Sequence, residues 1–379
     1  MKIARIETFP LPPRWLFVRV ETDDGAVGWG EASLEGHTEA VVGAFESVRD
    51  RLIGADPFRI EEAWQILHRG GFYRGGPVLM SAISGMDQAL WDLKGHALGQ
   101  PVWQLLGGKV RDRVEVYAWI GGDRPQEAGE GAARRRDQGF RAVKMNATPD
   151  MGWIESPRFV DAVIERVAAV QDQGMDVGLD FHGRVYKPMA KQLAKALEPH
   201  RPLFIEEPLL SENMEAIAEI ARITSIPIAL GERLFHRWDF KRVFEARAAD
   251  IIQPDLSHAG GISEVRKIAS MAEAYDVAVA PHCPLGALAF MSCIQVGACT
   301  PNVVLQEMSI GIHYNVGYDL TAYVKDPSVF TVTEGMVAVP EGPGLGVEID
   351  EAAVREISKD APRWRNPVWR RPDGSIAEW

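Results

Sequence analysis

Cysteine is scarce in this chain: Cys283, Cys293 and Cys299 are the only three among 379 residues. The number is odd, and the gaps of 10 and 6 residues match no zinc-ligand spacing. That argues against a disulfide framework or a cysteine metal site, and a reducing cytoplasmic setting with buried filler cysteines is expected. Long apolar runs are missing too. No 18 consecutive apolar residues occur, which excludes a membrane-spanning helix. Met1-Lys2-Ile3-Ala4-Arg5 leads straight into a strand-like pattern, so no secretory leader is expected. Positive charge is in deficit, with 41 Lys and Arg against 53 Asp and Glu and a formal net charge of −12. This disfavours a nucleic-acid or anionic-membrane partner. Low-complexity segments are absent, and 46% hydrophobic with 25% charged residues is the make-up of an ordinary folded protein. The composition permits a large enzyme and names no chemistry.

The patterning says more. Leu16–Thr22 is β-rich, Asp23-Asp24-Gly25 follows, and Ala26–Glu31 resumes the β pattern, which is a strong hairpin signal. Helical periodicity then covers residues 38–53, 59–68 and 78–97. In the last, Leu79, Ala82, Ile83, Met86, Ala89, Leu90 and Leu93 form one apolar stripe. From about residue 114 the chain becomes rhythmic. Short apolar runs occur at 114–119, 142–145, 177–181, 203–205, 226–230, 250–252, 277–280 and 303–305, with helical segments between them such as 157–172, 187–198, 212–223, 239–247 and 262–275. Eight buried-type strands alternating with helices predict a parallel α/β barrel. An open doubly wound sheet is the rival, but no glycine-rich phosphate loop follows the first strand. After residue 310 the rhythm stops, in a tail carrying Trp364, Trp369 and Trp379 that is expected to pack on the body.

Polar residues stand where these strands end. Along Asp180, Glu206, Glu232, Asp255, His282 and Glu307 the steps are 26, 26, 23, 27 and 25 residues, one strand–helix unit each. All six should therefore share the C-terminal rim, where barrels carry their active sites. Asp180, Glu206 and Glu232 on adjacent strands would repel unless a hard divalent cation joined them, and all-oxygen ligation selects Mg²⁺ or Mn²⁺ over zinc. Side chains two apart on a strand share a face, so His182 should point with Asp180. His182 and His282 would then face each other across the mouth as an acid/base pair. Asp255 could orient His282, or merely cap the next helix. Lys144, beside Asn146 at the end of the second run, is a further cationic candidate, or a surface lysine. His258-Ala259-Gly260-Gly261 reads as a turn into a helix, and Arg134–Arg136 as a solvated helix face.

The pattern Asp180-Phe181-His182, Glu206-Glu207-Pro208, Gly231-Glu232, Asp255 and His282 resembles the enolase superfamily, mandelate racemase subgroup. Asp180–Arg184, Gln253–Gly261, Ala280–Gly286, Pro12-Pro13-Arg14-Trp15 and Trp364–Pro367 extend the likeness to a sugar-acid dehydratase of that subgroup over essentially the whole chain. The resemblance implies a modified TIM barrel, (β/α)₇β, at 113–309, under an α+β capping domain at 1–112 completed by the C-terminal segment at 310–379. It implies one Mg²⁺ per subunit on Asp180, Glu206 and Glu232. His282 would be the general base tuned by Asp255, His182 the general acid, and Glu307 a stabiliser of the intermediate. Lys144 would be an electrophilic contact, and Arg14, Trp15 and His313 would bind substrate. Racemases of the subgroup carry Lys-x-Lys on the second strand, whereas this chain reads Lys144-Met145-Asn146, which favours elimination over racemisation. The implied reaction is dehydration of an aldonate, D-galactonate first and another sugar acid second, by a cytoplasmic homo-oligomer. The residues alone also leave open a metal-dependent hydrolase, which would want more histidines, and a non-catalytic sugar-acid binder.

Overall fold

The computed structural model describes residues 1–121, 124–149, 151–313 and 315–378. The chain opens with an antiparallel meander of β1 (Ile3–Leu11), β2 (Trp15–Thr22) and β3 (Val27–Glu31). The β2–β3 turn falls on Asp23-Asp24-Gly25, with Gly25 at φ 87°, as the hairpin signal predicts. Four helices follow: α1 (Thr38–Val48), α2 (Ile60–Arg69), α3 (Pro77–Leu98) and the short α4 (Val102–Leu105). α3 starts with Pro77 in its first turn and stops at Gly99, whose left-handed φ of 64° suits a glycine C-cap. The sequence predicted one apolar stripe on α3, yet Ser81, Ser84, Asp87, Gln88 and Asp92 are buried as well. The reason is that α3 is packed on two sides, by β2 and β3 and by a helix of the second unit. Gly28 and Gly30 permit the close approach, since a Cβ at either would stand 2.2 Å from a carbonyl oxygen of α3.

The second unit alternates strand and helix throughout. Its order is β4 (Arg113–Ile120), α5 (Pro125–Asp137), β5 (Ala142–Asn146), α6 (Pro157–Gln171), β6 (Asp176–Asp180), α7 (Lys187–Leu197), β7 (Ile205–Glu206), α8 (Met214–Ile223), β8 (Ile228–Leu230), α9 (Arg237–Ala246), β9 (Ile251–Ile252), α10 (Gly261–Glu273), β10 (Ala278–Val279), α11 (Ala287–Cys299) and β11 (Gln306–Met308). Neighbours pair in parallel from β4 to β10, β11 returns to β4, and a Val279–Val303 bridge closes the ring. Eight strands and seven helices make the (β/α)₇β barrel. Its last strand lies three residues later than the apolar run at 303–305, because Gln306 and Glu307 are buried while Val304 is half exposed. α11 is buried along its whole length and so carries no periodic polar face for sequence reading to find. Among the described residues, no helix is long and apolar enough to cross a membrane, and the three cysteines are buried and free.

The final segment touches both units. β12 (Val332–Thr333) and β13 (Met336–Ala338) form a hairpin that runs antiparallel to the start of β4. α12 (Glu351–Ile357) sends the Arg355 fork to Glu7 of β1. Trp364 lies over Arg14 and Trp369 over Arg184, whereas Trp379 lies outside the described residues.

Two buried carboxylates of the first unit meet helix N-termini of the barrel. Glu31 accepts the N–H groups of Gly286 (2.8 Å) and Ala289 (3.0 Å) at the start of α11. Asp87 accepts that of Ser263 (3.0 Å) at the start of α10. Burial pushes each carboxyl up to about 7, against the donors that favour the charged form.

Candidate active site

The strand ends converge as the 23–27-residue intervals predict. Asp180 pairs in register with Glu206 across β6–β7 and with Asn146 across β5–β6. Glu232 follows β8 by way of Gly231, at φ 149°, where a Cβ would meet the Gln253 backbone at 2.8 Å. β6 and β10 stand four strands apart in the eight-stranded ring, so His182 and His282 face each other across it. A cavity of about 70 Å³ lies between them, lined also by Trp119, Lys144, Glu232, Glu307, Arg14 and Glu35.

His182 reaches that cavity by a route the alternation rule misses. β6 ends at Asp180, and His182 is left-handed at φ 50°. Its N–H donates to Asp180 Oδ1 (2.7 Å), which sustains a conformation that side-chain-bearing residues avoid. The ring then lies with Nε2 3.0 Å from Asp180 Oδ2. Arg184 Nη2 is 2.7 Å from Nδ1; a guanidinium can only donate, so Nδ1 accepts and the ring proton sits on Nε2.

On the other side, His282 Nδ1 donates to Asp255 Oδ2 (2.8 Å), while Asp255 Oδ1 accepts the Ser257 N–H (2.6 Å). Asp255 thus both orients the ring and caps its turn. His282 Nε2 lies 3.0 Å from Glu232 Oε2. Burial opposes a charged ring, but Glu232, Glu307 and Asp255 together hold His282 well above the ordinary histidine range. His258, read from sequence as part of a turn, is buried with Nε2 3.6 Å from Asp255 and Nδ1 3.2 Å from Ser81 Oγ. Gly260 and Gly261 have positive φ and do serve the turn into α10.

Lys144 is not a surface lysine. It is 1% exposed, with Nζ 2.7 Å from Glu206, 3.1 Å from Glu307 and 3.5 Å from Asp180. Trp119 and Tyr117 offer their rings at 5.5 and 6.0 Å. Despite burial, the carboxylates keep this ammonium well above its ordinary range. Glu206 is pushed up to about 8, by burial first and Asp180 second. Its oxygens are occupied by Lys144 and by Gln253 Nε2 (2.6 Å). Among the described residues, Asp180, His182 and Glu232 bring ligand atoms within 4.8 Å of one another. Glu206 lies beside this group but is engaged by the lysine. The buried Asp180 Oδ2 has no hydrogen bond of good geometry, its nearest cationic neighbours being His182 Nε2 at 3.0 Å and Lys144 Nζ at 3.5 Å. Hard carboxylate oxygens converging with an acceptor in need of positive charge fit a divalent cation.

Glu307 links the two halves, since Oε2 accepts the Cys283 N–H (2.9 Å) and Oε1 faces Lys144. Arg14 is buried on the cavity wall, paired with Glu35 and donating to the Pro284 carbonyl. Trp15 does not line this cavity. It is fully buried, stacked on Phe17 and edge-on to Tyr323, because β2 starts one residue before the β-rich run and carries it into the core. His313 is exposed and lines a larger cavity of about 940 Å³ with Arg184 and Trp369. Arg135, grouped with a solvated helix face, is instead buried and donates to the Gly311 carbonyl. Sequence reasoning also missed Arg184, Arg233 and Glu207. Each lies within two residues of a strand-end acid or histidine, and that position was the available signal.

The arrangement can take a proton on one face of a small acid and give one on the other, beside carboxylates able to carry a cation. Comparisons with known proteins identify the family. Residues 12–107 match the mandelate racemase/muconate lactonizing enzyme N-terminal domain, and residues 127–353 match the enolase C-terminal domain-like family. The chain is 56% identical, over 382 residues covering all of both sequences, to the D-galactonate dehydratases of Ralstonia pickettii (strain 12J) and Ralstonia nicotianae (strain ATCC BAA-1114 / GMI1000). A crystal structure of an enolase from Agrobacterium radiobacter bound to Na and L-malate superposes with a TM-score of 0.91 at 34% identity, covering all of both chains. A mandelate racemase/muconate lactonizing enzyme-like protein from Roseovarius sp. TM1035 gives 0.90 at 31% identity, covering 99% of each.

Proposed function

The chain belongs to the mandelate racemase/muconate lactonizing enzyme family of the enolase superfamily, and on that premise we propose that it is a hydro-lyase converting D-galactonate to 2-dehydro-3-deoxy-D-galactonate. The observation that carries this reading is the pair of histidines facing one another across a single cavity, each tied through Nδ1 to a fixed partner. Full-length likeness to two D-galactonate dehydratases selects the substrate.

Asp180, Glu206 and Glu232 would hold Mg²⁺, which when bound supplies positive charge beside the oxygens where the reaction's negative charge gathers. The rest is the work of this chain's own groups. His282, its Nδ1–H held by Asp255, accepts the C2 proton on Nε2 when Glu232 is engaged as a ligand and no longer holds the ring charged. The carboxylate of the substrate thereby becomes an enediolate, and Lys144 offers its ammonium to that charge. Glu307, fixed by the Cys283 N–H, supports the same end of the substrate. His182, having taken up a second proton as an imidazolium, delivers its Nε2 proton to the C3 hydroxyl, which leaves as water and returns the ring to neutral, a contribution of about 10²–10⁴-fold for a positioned acid. The enol then takes a proton at C3, loses the proton of its C2 hydroxyl and becomes the 2-keto acid. Arg14 would meet the distal hydroxyls, with Trp15, the first residue of β2, anchoring the turn that carries it and His313 lying further out. The free buried cysteines accord with a cytoplasmic setting.

Trapping the product with semicarbazide tests the assignment. D-Galactonate with Mg²⁺ should give a 2-keto acid at a rate exceeding that for other aldonates. Turnover of a different aldonate alone would overturn the substrate, and no keto acid from any would overturn the reaction.

A further inference from the structure

Arg233 follows Glu232 directly and has no part in the reaction described above, yet it touches three elements of the site. Its Nε is 3.0 Å from Glu207 Oε2 and 3.6 Å from Glu232 Oε1, and its Nη2 donates to the His182 carbonyl at 2.7 Å. His182 and Glu207 are both non-glycine residues in the left-handed region, at φ 50° and 41°, and the Gly183 N–H joins them by donating to the Glu207 carbonyl (2.9 Å). A left-handed residue with a side chain persists only where its surroundings over-determine it. For His182 those surroundings are Asp180 on its N–H, Arg184 on its ring and Arg233 on its carbonyl.

We propose that Arg233 is a positioning residue for the acid half of the reaction, its guanidinium fork fixing the backbone of His182 so that Nε2 points into the cavity. The proposal rests on the functional reading above. The same guanidinium meets Glu207, a side chain with no exposure and no place in the chemistry. Glu207 therefore serves to aim Arg233, since its Oε2 meets Nε while leaving Nη2 for His182. A lysine could preserve the charge at this place. It could not preserve the geometry, because a single ammonium cannot hold the carboxylate and the carbonyl through separate planar donors.

The contrast between charge and fork gives a test that a merely structural role would not pass. In D₂O, exchange of deuterium into C2 of recovered D-galactonate reports the base, and 2-keto acid formation reports the acid as well. Arg233→Lys should lower dehydration about 100-fold, the order of loss that a misplacement of about 1 Å can cause. C2 exchange and the Mg²⁺ concentration that half-saturates the thermal shift should both stay within about threefold of wild type. Equal losses of exchange and dehydration, or no loss of dehydration, would overturn the proposal. If Arg233→Lys gives no cooperative melt, the charge-neutral double variant Arg233→Met with Glu207→Gln removes fork and carboxylate together, and the same criteria apply. Wild-type turnover in the same run separates the two levels of inference. A wild type inert on D-galactonate overturns the functional reading and this proposal with it, whereas an active wild type with parallel losses in the variant overturns this proposal alone.

Discussion

Replacing Lys144 by methionine in the metal-free protein isolates the electrostatics of the rim. The side chain is 1% exposed, and its ammonium lies 2.7–3.5 Å from carboxylates of three strands. Methionine fills nearly the same volume, so the cavity term is small and the loss is that of the charge. Removing one partner of a buried ion pair costs about 3–5 kcal/mol, because the others remain buried and unmatched. Unfolding entropy near about 2.1 cal/mol/K per residue gives roughly 0.8 kcal/mol/K for a chain this long. The melting temperature in EDTA at pH 8 should therefore fall by about 4–6 °C. Saturating Mg²⁺ should recover most of that difference, because a bound cation supplies the missing positive charge. Differential scanning calorimetry of both proteins, with and without Mg²⁺, makes the comparison. A variant within about 1 °C of wild type in EDTA would refute the reasoning. So would a deficit of the same size with and without Mg²⁺.

Other perturbations probe separate links. Asp255→Asn should leave the fold intact, since Asn can still cap Ser257, while kcat on D-galactonate falls by about 10²–10⁴ because His282 loses its carboxylate partner; an unchanged kcat would remove Asp255 from the mechanism. Gly231→Ala sets a methyl 2.8 Å from the Gln253 backbone, and should cost about 1–3 kcal/mol by urea denaturation together with weakened Mg²⁺ binding. Glu31 and Asp87, each held near 7 when folded against 4.5 and 3.8 otherwise, take up protons on folding. Their stabilisation is complete below about pH 4, fades as pH rises through 7, and amounts to about 3–4 kcal/mol each. Glu31→Gln should therefore lose less stability between pH 5 and pH 8 than wild type does, read from urea midpoints, and parallel losses would contradict the assignment.

The barrel was legible because each parallel strand buries both faces and so reads as an unbroken apolar run. The rim was legible because one strand–helix unit has a nearly constant length, which set Asp180, Glu206, Glu232, Asp255, His282 and Glu307 in step before any contact was known. What failed to show in the sequence depends on three-dimensional context. Trp15 and Arg14 are adjacent in the chain, yet Trp15 opens β2 and goes to the core while Arg14 ends the turn before it and goes to the cavity. Lys144 reads like any lysine until three carboxylates surround it. β11 hid because its buried residues are polar, and α11 because it has no exposed face to give a period. The left-handed turn at His182 is set by Asp180 and by Arg233, the latter 51 residues away, and no local pattern announces it.

The division of labour between the histidines is most directly tested by following C2 deuterium exchange and 2-keto acid formation from D-galactonate in D₂O with Mg²⁺. His282→Asn should abolish both, and His182→Asn should keep exchange at C2 while dehydration falls by about 10²–10⁴. Exchange surviving in His282→Asn, or dehydration at the wild-type rate in His182→Asn, would contradict the account.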